Sequence, residues 1–452
     1  MRCLRSAVSV AFLCLSSVAT VSAEGSDGLR VATFCCDITP PLGQPMFSGD
    51  VIRAVEQPLL AKGIVLEDGG QRYVLCALDW CVVCNSSYDA LRNKIAVAAG
   101  ANPAHVAVQC VHQHTAPWID RDAQRLLPEV NGRKMHLDPQ VLDAIEERLV
   151  AAVKQSSQRF QAFDHIGTGQ AKVDRVASTR RPVDATGKIA VRGSSCKIPA
   201  IRALAEGMID PYLKTITLAV GEKPLVRLHY YATHPQTAYG DGIASSDMVG
   251  DAREELERKE GVFQIYFNGC GGDITAGKYN DRSRKCRVEL AERLLVGMKA
   301  SVAATKLVPA GAIHWRTCSL MLPRRSDPPF TIEDCLARIK DPKTSVIYRF
   351  DAAIRMGFLQ RSQQPIELSS LEMGNIHIVH LPGEPMICFQ LFAQGVKPAD
   401  FVAVAGYGDA GSGYICPEKA FGEGGYEPSH SWVKPEAEAV LKKAIAALLG
   451  AE

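Results

Sequence analysis

Apolar residues recur in two rhythms along this chain. Short runs such as HVAVQCVH, VFQIYFNG and FVAVAGYG end abruptly at histidine or glycine. Runs of that length, bounded by turn-forming residues, mark buried strands. Further strands are predicted at LRVATFCCDITPPLG, FDHIGTGQAKVDRV, TITLAV, PLVRLHYYATH and AIHWRTCSLMLP. Elsewhere apolar residues fall three or four apart, the spacing of a helix that buries one face. LDPQVLDAIEERLVAAVKQSSQR, SDMVGDAREELERKEG, RSRKCRVELAERLLVGMKAS, SVIYRFDAAIRMGFLQR and KPEAEAVLKKAIAALLG read this way. SSYDALRNKIAVAAG is another helix, stopped by Gly100, and Pro139 sits in the first turn of its own helix. Two hairpins are predicted, one around Asp68-Gly69-Gly70 and one around Met373-Gly374-Asn375. Strands alternate with long helices, but the hairpins exclude an all-parallel barrel. The expected fold class is α/β (mixed α+β): mixed β-sheets covered by helices in a single large domain.

Composition narrows the class. The chain is 47% hydrophobic and 22% charged, with a net charge of +2. That is a globular composition, and with no basic run it argues against nucleic acid or an anionic membrane surface as partner. Residues 1–23 read as a cleavable leader: Arg2 and Arg5, an apolar stretch from Ser6 to Val18, then Val21-Ser22-Ala23 before Glu24. The expected mature domain is 24–452, secreted or periplasmic, with no transmembrane segment. Fifteen cysteines are scattered rather than dense, so most are expected to be small buried hydrophobes. The lone Cys81-Val82-Val83-Cys84 has no second pair to complete a zinc site.

Candidate chemistry collects where strands end. CVHQHTAPW places His112 and His114 two residues apart, on one face of a strand if the strand continues. Two such imidazoles can edge a metal site, or one can be a core hydrogen-bonder and the other exposed. His234 ends a strand before Pro235, whereas His229 faces the other side and is expected to be packed. In FNGCGGDITAGKYND, Gly269, Gly271 and Gly272 precede Asp273 and Thr275. Their amides can approach a ligand closely or hold an oxyanion, or simply form a turn. Glu384 lies between Gly383 and Pro385 at a probable helix start. It can favour the helix N-terminus or serve as an oxygen ligand. Tyr414 and Tyr426 fall in a loop beyond it.

Taken in order, DITPPLG, VHQHTAP, THPQT, GCGGDIT, LPGE and GYICPE resemble the catalytic domain of the neutral/alkaline, non-lysosomal ceramidases. These are zinc amidases that cleave the N-acyl bond of ceramide. The resemblance runs from Val31 to Tyr426. It implies a Zn2+ cofactor bound by His112, His234, Glu384 and Tyr414, and water activated on that zinc as nucleophile. It places His114 in the site, Arg180 on the reacting group with Arg181 as its neighbouring option, and Tyr426 with Glu427 as a later pair. His114 or Asp273 would then transfer protons, Arg180 would stabilise the tetrahedral oxyanion, and Gly271, Gly272 and Tyr426 would bind substrate. The implied partner is a small-molecule or lipid amide.

Three departures from the family pattern stand out. Thr275 replaces a serine thought to act on the substrate, and its β-branch restricts the hydroxyl. The span from Glu384 to Tyr414 is shorter than in typical members. No room is left for the C-terminal immunoglobulin-like domain of full-length enzymes. A zinc hydrolase acting on a different amide or ester, or a non-catalytic relative, are the competing readings. An amidohydrolase barrel, which also uses H-x-H, needs eight strand–helix units that the hairpins contradict.

Overall fold

Alternation along the strands sets the layers. In the strand Gln71–Leu78, Tyr73, Leu75 and Ala77 enter one core, and Val74, Cys76 and Leu78 enter another. Successive side chains of a strand point to opposite faces. A strand apolar at every position is therefore covered on both sides. These features come from a computed structural model that describes residues 28–451; the leader expected over residues 1–23 lies outside the described residues.

The larger sheet has nine strands. Across it run Gln161–Ala162, Arg30–Asp37, Leu60–Asp68, Gln71–Leu78, Val106–Cys110, Phe401–Gly408, Ile376–Pro382, Ile366–Met373 and His314–Leu320. Two pairings are parallel, Gln71–Leu78 with Val106–Cys110 and Ile376–Pro382 with Phe401–Gly408. The smaller sheet orders Phe263–Asn268, Lys223–Tyr231, Tyr212–Val220, His165–Lys172 and Lys306–Pro309, with the first pair parallel.

One face of each sheet packs on the other, around Leu75, Ala403, Leu228 and Ile265. Helices Asn85–Ala99 and Pro139–Ser156 cover one half of the outer face of the large sheet, and Val346–Arg361 and Ala437–Leu448 cover the other. Helices Asp247–Glu260 and Arg284–Ala303 cover the small sheet. The order is helix, sheet, sheet, helix in one mixed domain.

The two expected hairpins are present, with Gly69 and Gly70 at φ 54° and 77° and Gly374 at φ 63°. The stacking of sheet on sheet was not anticipated, nor was the helix Ile332–Lys340. No helix among the described residues is long and apolar enough to cross a membrane. All thirteen cysteines of the described residues are free thiols, Cys81 and Cys84 among them.

His229 is packed as its position in the strand suggested. Its Nδ1 lies 2.9 Å from Thr215 Oγ1 and its Nε2 lies 2.7 Å from Gln264 Oε1. Burial pushes its pKa down to about 4, below the roughly 6.5 of an exposed imidazole. Between those two values the unfolded chain binds the extra proton. Stability from this group is therefore present near neutrality and is lost as pH falls, by up to roughly 3 kcal/mol. Chemical denaturation of the unaltered protein and of His229→Gln across this range tests the point. The stability gap between them should narrow toward acid; a gap independent of pH would contradict it.

Candidate metal centre

Four strand ends converge on one point between the sheets. The strand Val106–Cys110 stops two residues before His112. His112 itself adopts a left-handed backbone, φ 74°, with its amide donating to the Trp80 carbonyl at 3.0 Å. His112 and His114 therefore do not share a strand face; a sharp turn in irregular chain brings their rings together, centroids 5.0 Å apart. His234 follows the strand Lys223–Tyr231, and its amide donates to the Ile274 carbonyl at 3.0 Å. Glu384 follows Ile376–Pro382 through Gly383 at φ 57°. A Cβ on Gly383 would lie 2.5 Å from the Gly413 carbonyl oxygen, so no larger residue fits that turn.

Glu384 Oε2 lies 3.4 Å from His112 Nε2 and 3.5 Å from His234 Nε2. His112 Nδ1 donates to the Cys81 carbonyl at 2.8 Å, and His234 Nδ1 to the carbonyls of Gly271 and Ile274 at 2.7 and 3.0 Å. These bonds fix the tautomers and aim both Nε2 lone pairs at the carboxylate, the usual outer support of a metal-binding histidine. His112 Nε2 and Glu384 Oε2 are buried without a hydrogen-bond partner. Burial holds the His234 pKa down at about 4, so its imidazole is neutral near pH 7 and offers no counter-charge. Among the described residues only the two imidazoles lie within ion-pair distance of Glu384. A buried carboxylate whose nearest polar neighbours are two imidazole nitrogens fits a cation, because an uncompensated buried charge is costly. The residues present thus fit a metal ion at this point.

His114 borders the triad. Gln236 Nε2 donates to its Nδ1 at 3.0 Å, which leaves the proton on an unpartnered, buried Nε2. Burial, then the neighbouring His112 and His234, push its pKa well down. Arg180 NH1 donates to the Tyr414 hydroxyl at 3.1 Å and lies 3.5 Å from His234 Nε2. Burial works against the Arg180 charge, but Tyr414 and Glu427 outweigh it and the guanidinium stays protonated. Arg181 instead turns away to Glu427 and Glu423, at 3.0 and 3.1 Å. Tyr414 pairs in register with Glu384, so the two side chains start side by side. Tyr426 is 38% exposed, and the Arg180 guanidinium lies 4.7 Å from its ring centre.

The glycine loop has a different role from the one expected. Gly272 donates its amide to the Pro385 carbonyl at 3.0 Å, so that amide is not free for an oxyanion. A Cβ on Gly272 would lie 2.6 Å from the Glu384 carbonyl oxygen; the glycine serves close packing of backbone on backbone. Gly271 contributes its carbonyl to His234. Asp273 is buried, and its Oδ1 accepts from the Ile387 amide at 2.8 Å, at the start of the helix Ile387–Val396. Burial pushes its carboxyl up to about 7, but it lines neither cavity at the centre. Thr275 is likewise buried, in a two-residue strand against Ser178, and lines neither cavity. Cys81 Sγ comes within 3.8 Å of His112 Nδ1, but that nitrogen already serves the Cys81 carbonyl.

Sequence reading missed Gln236 and Tyr407. The Tyr407 ring stacks on His112 at 4.2 Å between centroids. Its flanking Gly406 and Gly408 were the available signal.

Fold and centre together define a class: a four-layer mixed α/β domain with a two-histidine, one-carboxylate centre at its strand ends. The fold is that of the neutral ceramidases. A crystal structure of neutral ceramidase from Pseudomonas aeruginosa matches with a TM-score of 0.69 and 15% sequence identity, covering 94% of this chain and 75% of that one. A structure of a ceramidase complexed with C2 matches with the same TM-score and identity, over 94% of this chain and 76% of that one. No family model matches the chain, and no curated protein matches it by sequence.

A metal that binds only the folded state stabilises it, by about 2.7 kcal/mol at a free concentration of 100 Kd. Zn2+ or Co2+ added to chelator-stripped protein should therefore raise its unfolding midpoint. Glu384→Gln should abolish the rise. An equal rise in both proteins would place the metal elsewhere.

Proposed function

We propose that the chain is an exported zinc-dependent amidase that hydrolyses an N-acyl, ceramide-like amide. The buried set of His112, His234 and Glu384, with both Nδ1 atoms tied to backbone carbonyls, carries the reading. Two imidazoles and one carboxylate are a usual catalytic zinc set. Tyr414, beside Glu384, is the candidate fourth ligand. Zinc, when bound, supplies a nucleophile near neutral pH from water and polarises a carbonyl.

The chain's own groups do the rest. Arg180, cationic and held by Glu427, faces the centre and stabilises negative charge that develops on the carbonyl oxygen. His114 presents Nε2–H toward the centre, so it donates a hydrogen bond to the reacting group. Phe47 packs edge-on against His114, with ring centres 4.6 Å apart, and keeps the imidazole in place. Asp273 and Thr275 support the turn behind the centre rather than touching substrate. Residues 1–23 are the proposed leader for export, with no role in the chemistry.

Zinc content and hydrolysis of N-acyl amides, measured together, test these assignments. His234→Ala should lose metal and activity at once, because a lost ligand removes the site. Arg180→Leu should keep its zinc and lose about 10²–10³ in kcat, the scale for removing an oxyanion donor. Thr275→Ala should keep zinc and retain activity within about tenfold, a packing change of about 1.4 kcal/mol or less. Complete inactivity of Thr275→Ala with zinc bound would make the hydroxyl the nucleophile and overturn the scheme.

Export has its own check. N-terminal sequencing of the exported protein should begin near Glu24; an intact Met1 would rule out the leader.

A further inference from the structure

Two unlike cavities meet at the metal centre. The first is narrow, with a volume of about 120 Å³, below the roughly 300–1,000 Å³ of ordinary small-molecule pockets, and it opens to the surface beside Ile347, Tyr348 and Tyr426. Its far wall is Trp118, Phe350, Ile354 and Trp432. That wall is core. Trp432 packs on Phe358 with ring centres 5.6 Å apart and lies so close over Gly413 that a Cβ there would stand 2.9 Å from the indole. An alkyl chain cannot extend through that wall, and one longer than the pocket must turn out beside the exposed Ile347 and Tyr348.

The second cavity is an open cleft of about 740 Å³. Arg133 and Arg180 line it with Ser194, Ser195, Gln236 and Tyr239, and no carboxylate does. Arg180 is already matched by Glu427. Arg133 is exposed and forms no ion pair among the described residues. The cleft therefore carries an uncompensated positive charge beside hydroxyl and amide groups. Phe47, His114, Ile347, Tyr414 and Tyr426 belong to both cavities, so a scissile bond at their junction has one half on each side.

We infer that the substrate is an N-acyl amide with a compact apolar acyl group and an anionic amine half, an N-acyl amino acid in chemical class, rather than a long-chain ceramide. The inference rests on the amidase reading of the same centre. The acyl group fills the narrow pocket against Trp432 and Phe350. The carboxylate of the amine half lies in the cleft and pairs with Arg133. Hydrolysis breaks the C–N bond; the oxygen of water goes to the acyl carbon, which leaves as a carboxylate, and a proton goes to the departing amine. Each half then leaves from its own side.

The test compares N-hexanoyl-glycine, its methyl ester, N-palmitoyl-glycine and N-palmitoyl-sphingosine, both as substrates of the zinc-loaded protein and as ligands in calorimetry. N-hexanoyl-glycine should have the highest kcat/KM. Its methyl ester and its palmitoyl counterpart should each fall about tenfold, the scale of one charge-assisted hydrogen bond or one blocked methylene segment. Arg133→Gln should erase the preference for the free acid over the ester. Calorimetry should show the same order of affinity. Best turnover on N-palmitoyl-sphingosine, or an acid preference that survives Arg133→Gln, overturns the inference while leaving an amidase. Tight, Arg133-dependent binding of N-hexanoyl-glycine with no hydrolysis of any compound upholds the ligand class and overturns the amidase reading instead.

Discussion

A carboxylate sealed between two imidazoles, with no lysine or arginine on it, is the demand that the rest of the architecture meets. Glu384 is 6% exposed. Burying such a charge is tolerable only beside a compensating one, and a metal held by the same three side chains would supply it. For that, both Nε2 atoms must face inward. The backbone secures this by taking the opposite ring nitrogens: the Cys81 carbonyl holds His112, and the Gly271 and Ile274 carbonyls hold His234. These carbonyls come from beyond two strand ends, that of Gln71–Leu78 in the large sheet and that of Phe263–Asn268 in the small one. Stacking sheet on sheet is what lets those ends meet.

A second coupling ties the centre to its rim. Arg180 bridges the Tyr414 hydroxyl and Glu427, while Arg181 runs back to Glu427 and Glu423. Two adjacent arginines thus share one carboxylate, one oxygen each. The amide of Arg180 donates to the Asp273 carbonyl at 2.7 Å, which pins that turn to the glycine loop. Glu427 is buried and is shared by both guanidinium groups, so it neutralises the inner arginine without reaching the metal centre. The Arg180 cation beside the centre is positioned by backbone and carboxylate from separate segments.

Local physics was legible in the sequence; assembly was not. Gly69-Gly70 and Gly374 carry positive φ because their hairpins require it, and such turns can be read from a dipeptide. Helix ends such as Gly100 are equally local. His112 and His114 were singled out for a strand alternation that the chain abandons at Cys110. Their convergence comes from a left-handed His112, a feature that no residue-type pattern announces. Gly272 looked like an amide aimed at ligand because glycine permits close approach, but sequence cannot say to what. Here the close approach is to the backbone of Glu384 and Pro385. Gln236 and Tyr407 escaped notice because each acts by touching a histidine far away in the chain.

The connection between Glu384 and Tyr414 is held under backbone strain. Tyr407, Asp409 and Ala410 all have positive φ, at 62°, 44° and 69°. Each costs about 1–2 kcal/mol for a residue with a Cβ. Such a run coils the chain tightly after the strand Phe401–Gly408, which lets Tyr414 lie in register beside Glu384. The conformation is held by contacts that only this fold provides. The Tyr88 hydroxyl donates to Asp409 at 2.9 Å, the Asn85 amide donates to the Ala410 carbonyl at 3.0 Å, and Tyr407 stacks on His112. The last contact closes the circle: the residue that bears strain at the start of the turn also packs against a histidine of the centre. Strain in the loop and order in the metal site are therefore maintained by the same packing, and a longer, relaxed connection would bring Tyr414 to Glu384 without bracing His112.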